Sequence, residues 1–119
     1  MKVRFAFADT DFVAALNGSA AAREFLTMLP LDMQIEDYAH NEKIAYLPSK
    51  LVTRGNGRFA DEKAGDLCYY APWGNLVFFY APYRYSAGLI RLGQLSDGVA
   101  ALSKRGRYPL RAEIMTEQT

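Results

Sequence analysis

The strongest constraint on the fold is a pair of apolar, aromatic segments separated by a short turn sequence. Residues 67–70 are Leu-Cys-Tyr-Tyr and residues 76–80 are Leu-Val-Phe-Phe-Tyr, with Ala-Pro-Trp-Gly-Asn between them. Aromatic and β-branched side chains favour strands, and Pro and Gly favour the turn, so this pattern predicts a β-hairpin. Because both faces of the two strands are apolar, we expect the hairpin at the centre of a covered sheet.

Alternation of apolar and polar residues predicts further strands of a single, mainly β domain. The alternating segments are residues 3–7, 12–16, 31–36 and 110–114, and residues 44–47 and 89–95 are predicted as two more strands. Turns are predicted near residues 8–10 and over the polar residues 41–43. Helices are predicted near 19–29, ended by Pro30, and near 97–105. About eight short strands with two short helices favour a closed barrel or a sandwich over residues 1–115, with a frayed tail at 116–119.

Charge and cysteine content argue against several classes of protein. The chain has 14 basic and 13 acidic side chains, so the net charge of +1 supports neither a nucleic-acid nor a membrane partner. The one cysteine, Cys68, excludes an intrachain disulfide and a cysteine-based zinc site. No apolar run matches a signal peptide or a membrane helix. We therefore expect a cytoplasmic protein without a metal or cofactor.

Two stretches of the chain resemble small bacterial proteins of the cyclophilin-like fold. Residues 65–80 resemble the central hairpin of that family, and residues 92–99, Leu-Gly-Gln-Leu-Ser-Asp-Gly-Val, resemble its strand-to-helix passage. Residues 29–31 and 42–48 fit the family as well, so the resemblance covers nearly the whole chain. It implies a mainly β protein, a closed eight-stranded cyclophilin-like β-barrel with two short capping helices.

The resemblance carries over only part of the active face of a prolyl isomerase. True cyclophilins are prolyl isomerases whose active face uses a Phe-His-Arg motif and a Gln-Phe-Phe motif. Here Val77 replaces that glutamine before Phe78-Phe79, and no Phe-His-Arg motif occurs. Phe79 alone carries over, so we expect little isomerase activity and keep a divergent peptidyl-prolyl isomerase as the alternative. Its candidate donor is Arg58, taken from the four arginines at 54, 58, 84 and 91.

Other residues with reactive or charged side chains are expected to have structural roles only. His40 is the one histidine and is expected in an exposed turn. Cys68 lies within an apolar strand and is expected to pack as a small hydrophobic side chain. The acidic cluster of Asp61, Glu62 and Asp66 is expected in a solvated loop.

The aromatic residues of the central hairpin supply the candidate binding site. Strand alternation places Phe78 and Tyr80 on one face and Phe79 on the other, so one face fills the barrel and the other can line an external groove. The predicted function is a non-catalytic module that binds a small molecule or peptide. The candidate ligand-binding residues are Tyr46, Tyr70, Trp73 and Phe79.

Two further expectations concern aromatic residues near this hairpin. Trp73 lies in the turn and is expected to fold back and partly close the barrel. If Tyr83 and Tyr85 are exposed, they can form the interface of a symmetric dimer. An oligomeric interaction protein is therefore the second alternative, and both a monomer and a homodimer stay open.

Overall fold

The computed structural model describes residues 1–52 and 58–116, which form a closed antiparallel β-barrel. In chain order the elements are β1 Lys2–Phe7, β2 Thr10–Leu16, α1 Ala20–Leu26, β3 Leu31–Tyr38, β4 Glu42–Tyr46, β5 Asp66–Tyr70, β6 Asn75–Phe79, β7 Leu89–Leu95, the 3-10 helix Ala100–Ser103 and β8 Tyr108–Ile114. The strand order around the barrel is β1-β2-β7-β5-β6-β4-β3-β8, and the pairing of β8 with β1 closes it. The mainly β, eight-stranded barrel expected from the sequence is thus confirmed.

The interior of the barrel is filled by alternate side chains of the strands, as period-two patterning requires. Phe5 packs with Phe12 and Phe78 at ring-centroid distances of 5.2 and 5.1 Å, and both partner rings are buried. The helix α1 adds the buried Phe25, whose ring is 6.5 Å from that of Phe5. The interior therefore forms one continuous aromatic and aliphatic core.

Both helices are shorter than the sequence predicts. Ser19 caps α1 by accepting a hydrogen bond from the Ala22 amide, but the helix ends at Leu26, before the predicted residue 29. The second helix is a four-residue 3-10 helix, not the predicted segment 97–105. Gly98 has a φ of +81°, outside the helical region, so a helix cannot begin before it.

The polar turn predicted at residues 41–43 is wrong at two of its three positions. Glu42 and Lys43 are the first residues of β4, and the turn lies between β3 and β4. The Lys43 side chain is fully buried, and its Nζ donates a hydrogen bond to Asp37 Oδ1 at 2.6 Å. Pairing and hydrogen bonding make this burial tolerable, since an unpaired buried charge is costly. Residue-type patterning alone does not reveal such a pair.

Gly93 marks a close approach between two strands of the barrel. It lies within β7 opposite Leu16, and a Cβ built on it would be 2.2 Å from the Ala15 carbonyl oxygen. Only a residue without a side chain fits there. The strand β7 lies between β2 and β5 in the barrel.

Some expectations fall outside the described part of the chain or concern membranes. Of the tail predicted at 116–119, residues 117–119 are outside the described residues, as is Arg54. Within residues 1–52 and 58–116, no helix has the length and apolar character needed to cross a membrane.

Candidate functional site

A second apolar cluster lies on the outside of the barrel, across β4, β5, β6 and the start of β7. Its buried members share the outward face of these strands; they are Ile44, Cys68, Val77, Phe79 and Leu89. The half-buried rings of Phe59, Tyr70, Tyr83 and Tyr85 pack against this cluster. The predicted alternation is confirmed, because Phe78 belongs to the interior cluster and Phe79 to this one.

A pocket of about 320 Å³ opens on this outer face. Trp73 forms one wall, in edge-to-face contact with Tyr38 at 5.2 Å and with Tyr70 at 5.4 Å between ring centroids. Tyr83 forms another wall by stacking on Phe79 at 3.5 Å, with 4° between the ring planes. All five aromatic residues line the pocket. Such geometry gives a concave site with several apolar ring surfaces.

Strand register places the polar groups of the pocket floor between these rings. Glu42 pairs with Tyr38 of β3 on one side and with Phe79 of β6 on the other. Asn75 pairs with Tyr70 of β5. Both polar residues line the pocket. Two hydrogen-bonding groups are thus brought between the aromatic side chains by the hydrogen-bonded ladder itself, which is rigid.

Glu42 is half-buried and has no counter-ion among the described residues. Burial disfavours the charged carboxylate and raises the pKa of Glu42 above its usual value. Asn75 is fully buried; its Nδ2 donates to the Leu76 carbonyl at 3.0 Å, while its Oδ1 has no hydrogen-bond partner in the described part of the chain. Among the described residues, the floor therefore holds one buried acceptor without a partner, Asn75 Oδ1, and one half-buried carboxylate without a counter-ion, that of Glu42.

A buried acid holds the Tyr83 wall in place. Asp66 accepts hydrogen bonds from Tyr83 Oη at 2.7 Å, Gln94 Nε2 at 3.0 Å and the Lys63 amide at 3.1 Å. Arg91 adds an ion pair to Asp66 at 3.6 Å. The solvated loop expected for the acidic cluster is therefore wrong for Asp66, which is fully buried. Its partners compensate the cost of burying the charge.

Cys68 lies beneath the same wall and is packed, as expected. Its Sγ is 3.8 Å from Tyr83 Oη, and burial raises the pKa of the thiol to about 12. The nucleophilic thiolate is therefore scarce at neutral pH. Burial and the neighbouring Cys68 and Asp66 raise the pKa of Tyr83 as well.

The structure brings three of the four candidate binding residues together. Tyr70, Trp73 and Phe79 all line the pocket. Tyr46 pairs with Asn75 in the sheet but lies outside the lining residues, with 51% of its side chain exposed. The expectation that Trp73 closes the barrel is wrong, because it is 43% exposed and packs on the outer rings.

The arginine chosen from the sequence does not line this pocket. The guanidinium group of Arg58 instead lies over the ring of Tyr85, 5.5 Å from the ring centroid. Arg84, one of the alternatives, is the arginine at the pocket. Arg84 directly follows Tyr83 in the chain, and its side chain is exposed at the rim of the pocket. Arg58 is the candidate from the sequence because it is next to Phe59. Such adjacency does not indicate which arginine reaches the pocket.

Sequence reasoning missed several residues of the pocket, namely Tyr38, Glu42, Asn75 and the wall position of Tyr83. One signal was present: Glu42 and Tyr46 alternate with buried Lys43 and Ala45, which places both on the outward face of β4. His40 is exposed, as expected. Within residues 1–52 and 58–116, no cluster of His, Cys, Asp and Glu has the arrangement of a metal site.

The aromatic pair expected at a dimer interface is covered by its own chain. Tyr83 and Tyr85 are half-buried; Tyr83 stacks on Phe79, and Tyr85 contacts Phe59 at 5.1 Å. The exposed pair that the dimer hypothesis needs is therefore not present at these positions. The choice between monomer and homodimer stays a prediction for light scattering.

Comparison with known proteins agrees with this architecture. The model of the Cyclophilin-like family matches residues 5–113. The solution structure of a hypothetical protein from Archaeoglobus fulgidus superimposes with a TM-score of 0.78, at 15% identity, over 95% of this chain and 93% of that one. At this identity the likeness shows the fold alone. No curated protein matches the chain significantly. On the match to the family model, the chain belongs to the Cyclophilin-like family.

Proposed function

We propose that this protein binds a small organic ligand in the aromatic pocket on the outer face of its barrel, without catalysing a reaction. The observation that carries the proposal is the convergence, on one cavity of about 320 Å³, of five aromatic rings, one buried amide oxygen without a described partner and one carboxylate without a described counter-ion. Ligand sites combine apolar and aromatic walls with a few convergent polar groups in this size range. The pocket has this composition.

The exposure of two rings supports a role beyond packing. Tyr38 and Trp73 are each 43% exposed, although they contact one another and the cavity. Folding gains little from rings left half in water, since the stabilisation follows the apolar area removed from water. A ligand between the walls would cover these ring faces and recover that burial.

The chemistry of the neighbouring groups supports binding rather than catalysis. The thiol of Cys68 has a pKa of about 12, and Asp66 is engaged by four described groups. A nucleophile would need a base or cation that lowers its pKa. Among the described residues that line the pocket, none is a histidine, a cysteine or a lysine.

The proposal can be tested with phenyl probes of three charge types, namely benzyl alcohol, benzylammonium and phenylacetate. Trp73 is the one tryptophan of the chain, so ¹⁵N-labelled protein gives a single indole N–H signal at the pocket wall. We expect a saturable shift of this signal with at least one probe. Absence of a saturable shift with all three would contradict the proposed function.

A matched pair of variants shows whether binding occurs in this pocket. Tyr46 and Tyr70 both pair with Asn75, but only Tyr70 lines the cavity. Tyr70→Ala should weaken the best probe at least about tenfold, since a truncated ring removes a buried contact surface. Tyr46→Ala should leave its affinity unchanged. Equal losses in the two variants would place the probe elsewhere on the surface.

A divergent prolyl isomerase is the second candidate, because Arg84 lines the same aromatic pocket. An apolar slot with an arginine donor is the minimum that such an enzyme needs. We expect a chromogenic proline peptide to isomerise at its uncatalysed rate. Robust catalysis that is lost in Arg84→Ala and retained in Arg58→Ala would favour the enzyme instead.

A further inference from the structure

We infer that the ligand of this pocket is an organic ammonium ion, a primary or secondary amine on an apolar group. This inference rests on the proposed function and adds the charge and hydrogen-bonding character of the ligand. Its basis is the pairing of a carboxylate without a counter-ion, Glu42, with a buried unsatisfied acceptor, Asn75 Oδ1, on one aromatic cavity floor.

Glu42 supplies the negative charge for such a ligand. It lies between Tyr38 and Phe79 in the strand register, within the ring-lined part of the pocket. Its neighbour Lys43 points into the barrel and is bonded to Asp37, so it does not neutralise Glu42. Partial burial removes part of the hydration of its carboxylate, and no cationic side chain among the described residues pairs with it. A cation at this position provides the missing compensation.

Asn75 indicates that the cation carries N–H groups. The hydrogen bond from its Nδ2 to the Leu76 carbonyl fixes the amide orientation, because a carbonyl oxygen can only accept. The free atom is therefore Oδ1, an acceptor. This oxygen has already lost its bonds to water, so a donor from the ligand satisfies it without a new desolvation cost. A quaternary ammonium ion has no such donor.

The aromatic walls suit the same ligand. Trp73, Tyr38 and Tyr70 present ring surfaces at the pocket, and ring faces attract cations. Arg84 also lines the cavity, but its side chain is exposed at the rim, where water screens its charge. Glu42 is half-buried, so its field acts more strongly inside. The balance of charge within the cavity therefore favours a cation.

The test compares four probes of similar size on the Trp73 indole signal: benzylammonium, benzyltrimethylammonium, benzyl alcohol and phenylacetate. We expect benzylammonium to bind at least about tenfold more tightly than benzyl alcohol, with phenylacetate the weakest. Benzyltrimethylammonium should bind less tightly than benzylammonium, since it offers no N–H to Asn75. Glu42→Gln keeps the side-chain shape and should remove the preference for the ammonium probe over the alcohol.

The control variant is Glu113→Gln, which removes an exposed carboxylate on β8 that does not line this pocket. It should leave the preference for benzylammonium unchanged. Equal affinity for the alcohol and the ammonium probe, or a preference that persists in Glu42→Gln, would overturn this inference. Either result leaves a saturable pocket and therefore the proposed function intact. Failure of all four probes would overturn both.

Discussion

The two faces of strand β6 sit in two differently built environments. Leu76 and Phe78 point into the barrel, where the surrounding side chains are apolar and fully enclosed. Asn75, Val77 and Phe79 point outward into a smaller apolar cluster. Both faces are buried, so burial alone does not distinguish them. The two faces differ instead in the polar groups that they contain.

Polar groups near the interior are compensated, whereas two polar groups of the outer pocket lack partners among the described residues. Lys43 is buried at the interior but is bonded to Asp37 at 2.6 Å. On the outer face, Asp66 is fully paired, yet Glu42 and Asn75 Oδ1 lack partners among the described residues. Unsatisfied buried polar groups are rare in folded proteins and call for an explanation. The comparison thus distinguishes the paired polar side chains, which stabilise the fold, from the unpaired ones, which we propose contact a ligand.

The largest expected effect is on the interior. Phe5→Ala removes a ring at the centre of the aromatic core, in contact with Phe12, Phe25 and Phe78. We expect a loss of about 3–5 kcal/mol in the free energy of unfolding, measured by urea denaturation. Tyr70→Ala on the outer wall should cost clearly less. Equal losses would remove the distinction between the two faces.

The outer face should also make stability depend on alkaline pH. The thiol of Cys68 keeps its proton to a pKa of about 12 in the folded chain, but ionises near its usual pKa when unfolded. Above about pH 8.5 the unfolded state therefore binds fewer protons, and the free energy of unfolding falls by up to about 1.4 kcal/mol per pH unit.

Urea denaturation between pH 8.5 and 10 measures this slope. Cys68→Ala should flatten it, whatever the variant does to stability at pH 7. A slope that is the same in both proteins would show that Cys68 is not the group responsible.

A smaller effect is expected at the wall. Tyr83→Phe removes the hydrogen bond to Asp66 Oδ2 but leaves the bonds from Gln94 and the Lys63 amide. The expected cost is about 1–2 kcal/mol in the free energy of unfolding. Tyr85→Phe is the control, since its hydroxyl makes no hydrogen bond with a described residue, and it should be near neutral. A neutral Tyr83→Phe would mean that Asp66 does not hold the wall.

The smallest effect on stability is expected at Trp73. Its half-exposed ring makes edge-to-face contacts with two tyrosines and is not part of the interior. Trp73→Ala should therefore cost about 1 kcal/mol, seen as a small shift of the thermal midpoint. A loss comparable to that of Phe5→Ala would restore the original expectation that this ring closes the barrel.

Local sequence patterns predicted most of the fold. Period-two alternation identified the strands of the barrel, including the inward Phe78 and the outward Phe79, because side-chain direction in a strand follows position. The pattern failed at Glu42-Lys43, where a charged pair opens a strand, and at the short second helix after Gly98. In both places a tertiary contact or a backbone angle overrides residue type.

The candidate site was only half predictable, for a physical reason. Tyr70, Trp73 and Phe79 belong to one predicted hairpin, so the sequence of that hairpin predicts that they lie close together. Glu42 and Tyr38 reach the pocket only through the β3–β4–β6 register, which the sequence does not state. The burial of Asp66 depends on Tyr83 and Gln94, 17 and 28 residues away. Such long-range bonds have no local signature.

The central claim is that the unsatisfied polar groups of the outer face serve a ligand and not the fold. Urea denaturation of Asn75→Leu tests this claim most directly, because the change replaces the amide, with its unpartnered Oδ1, by an apolar side chain of similar size. Loss of the bond to the Leu76 carbonyl is offset by relief of the unsatisfied acceptor. The account predicts a free energy of unfolding within about 1 kcal/mol of the natural chain. A loss of more than about 2 kcal/mol would show that Asn75 stabilises the barrel, and would contradict the account.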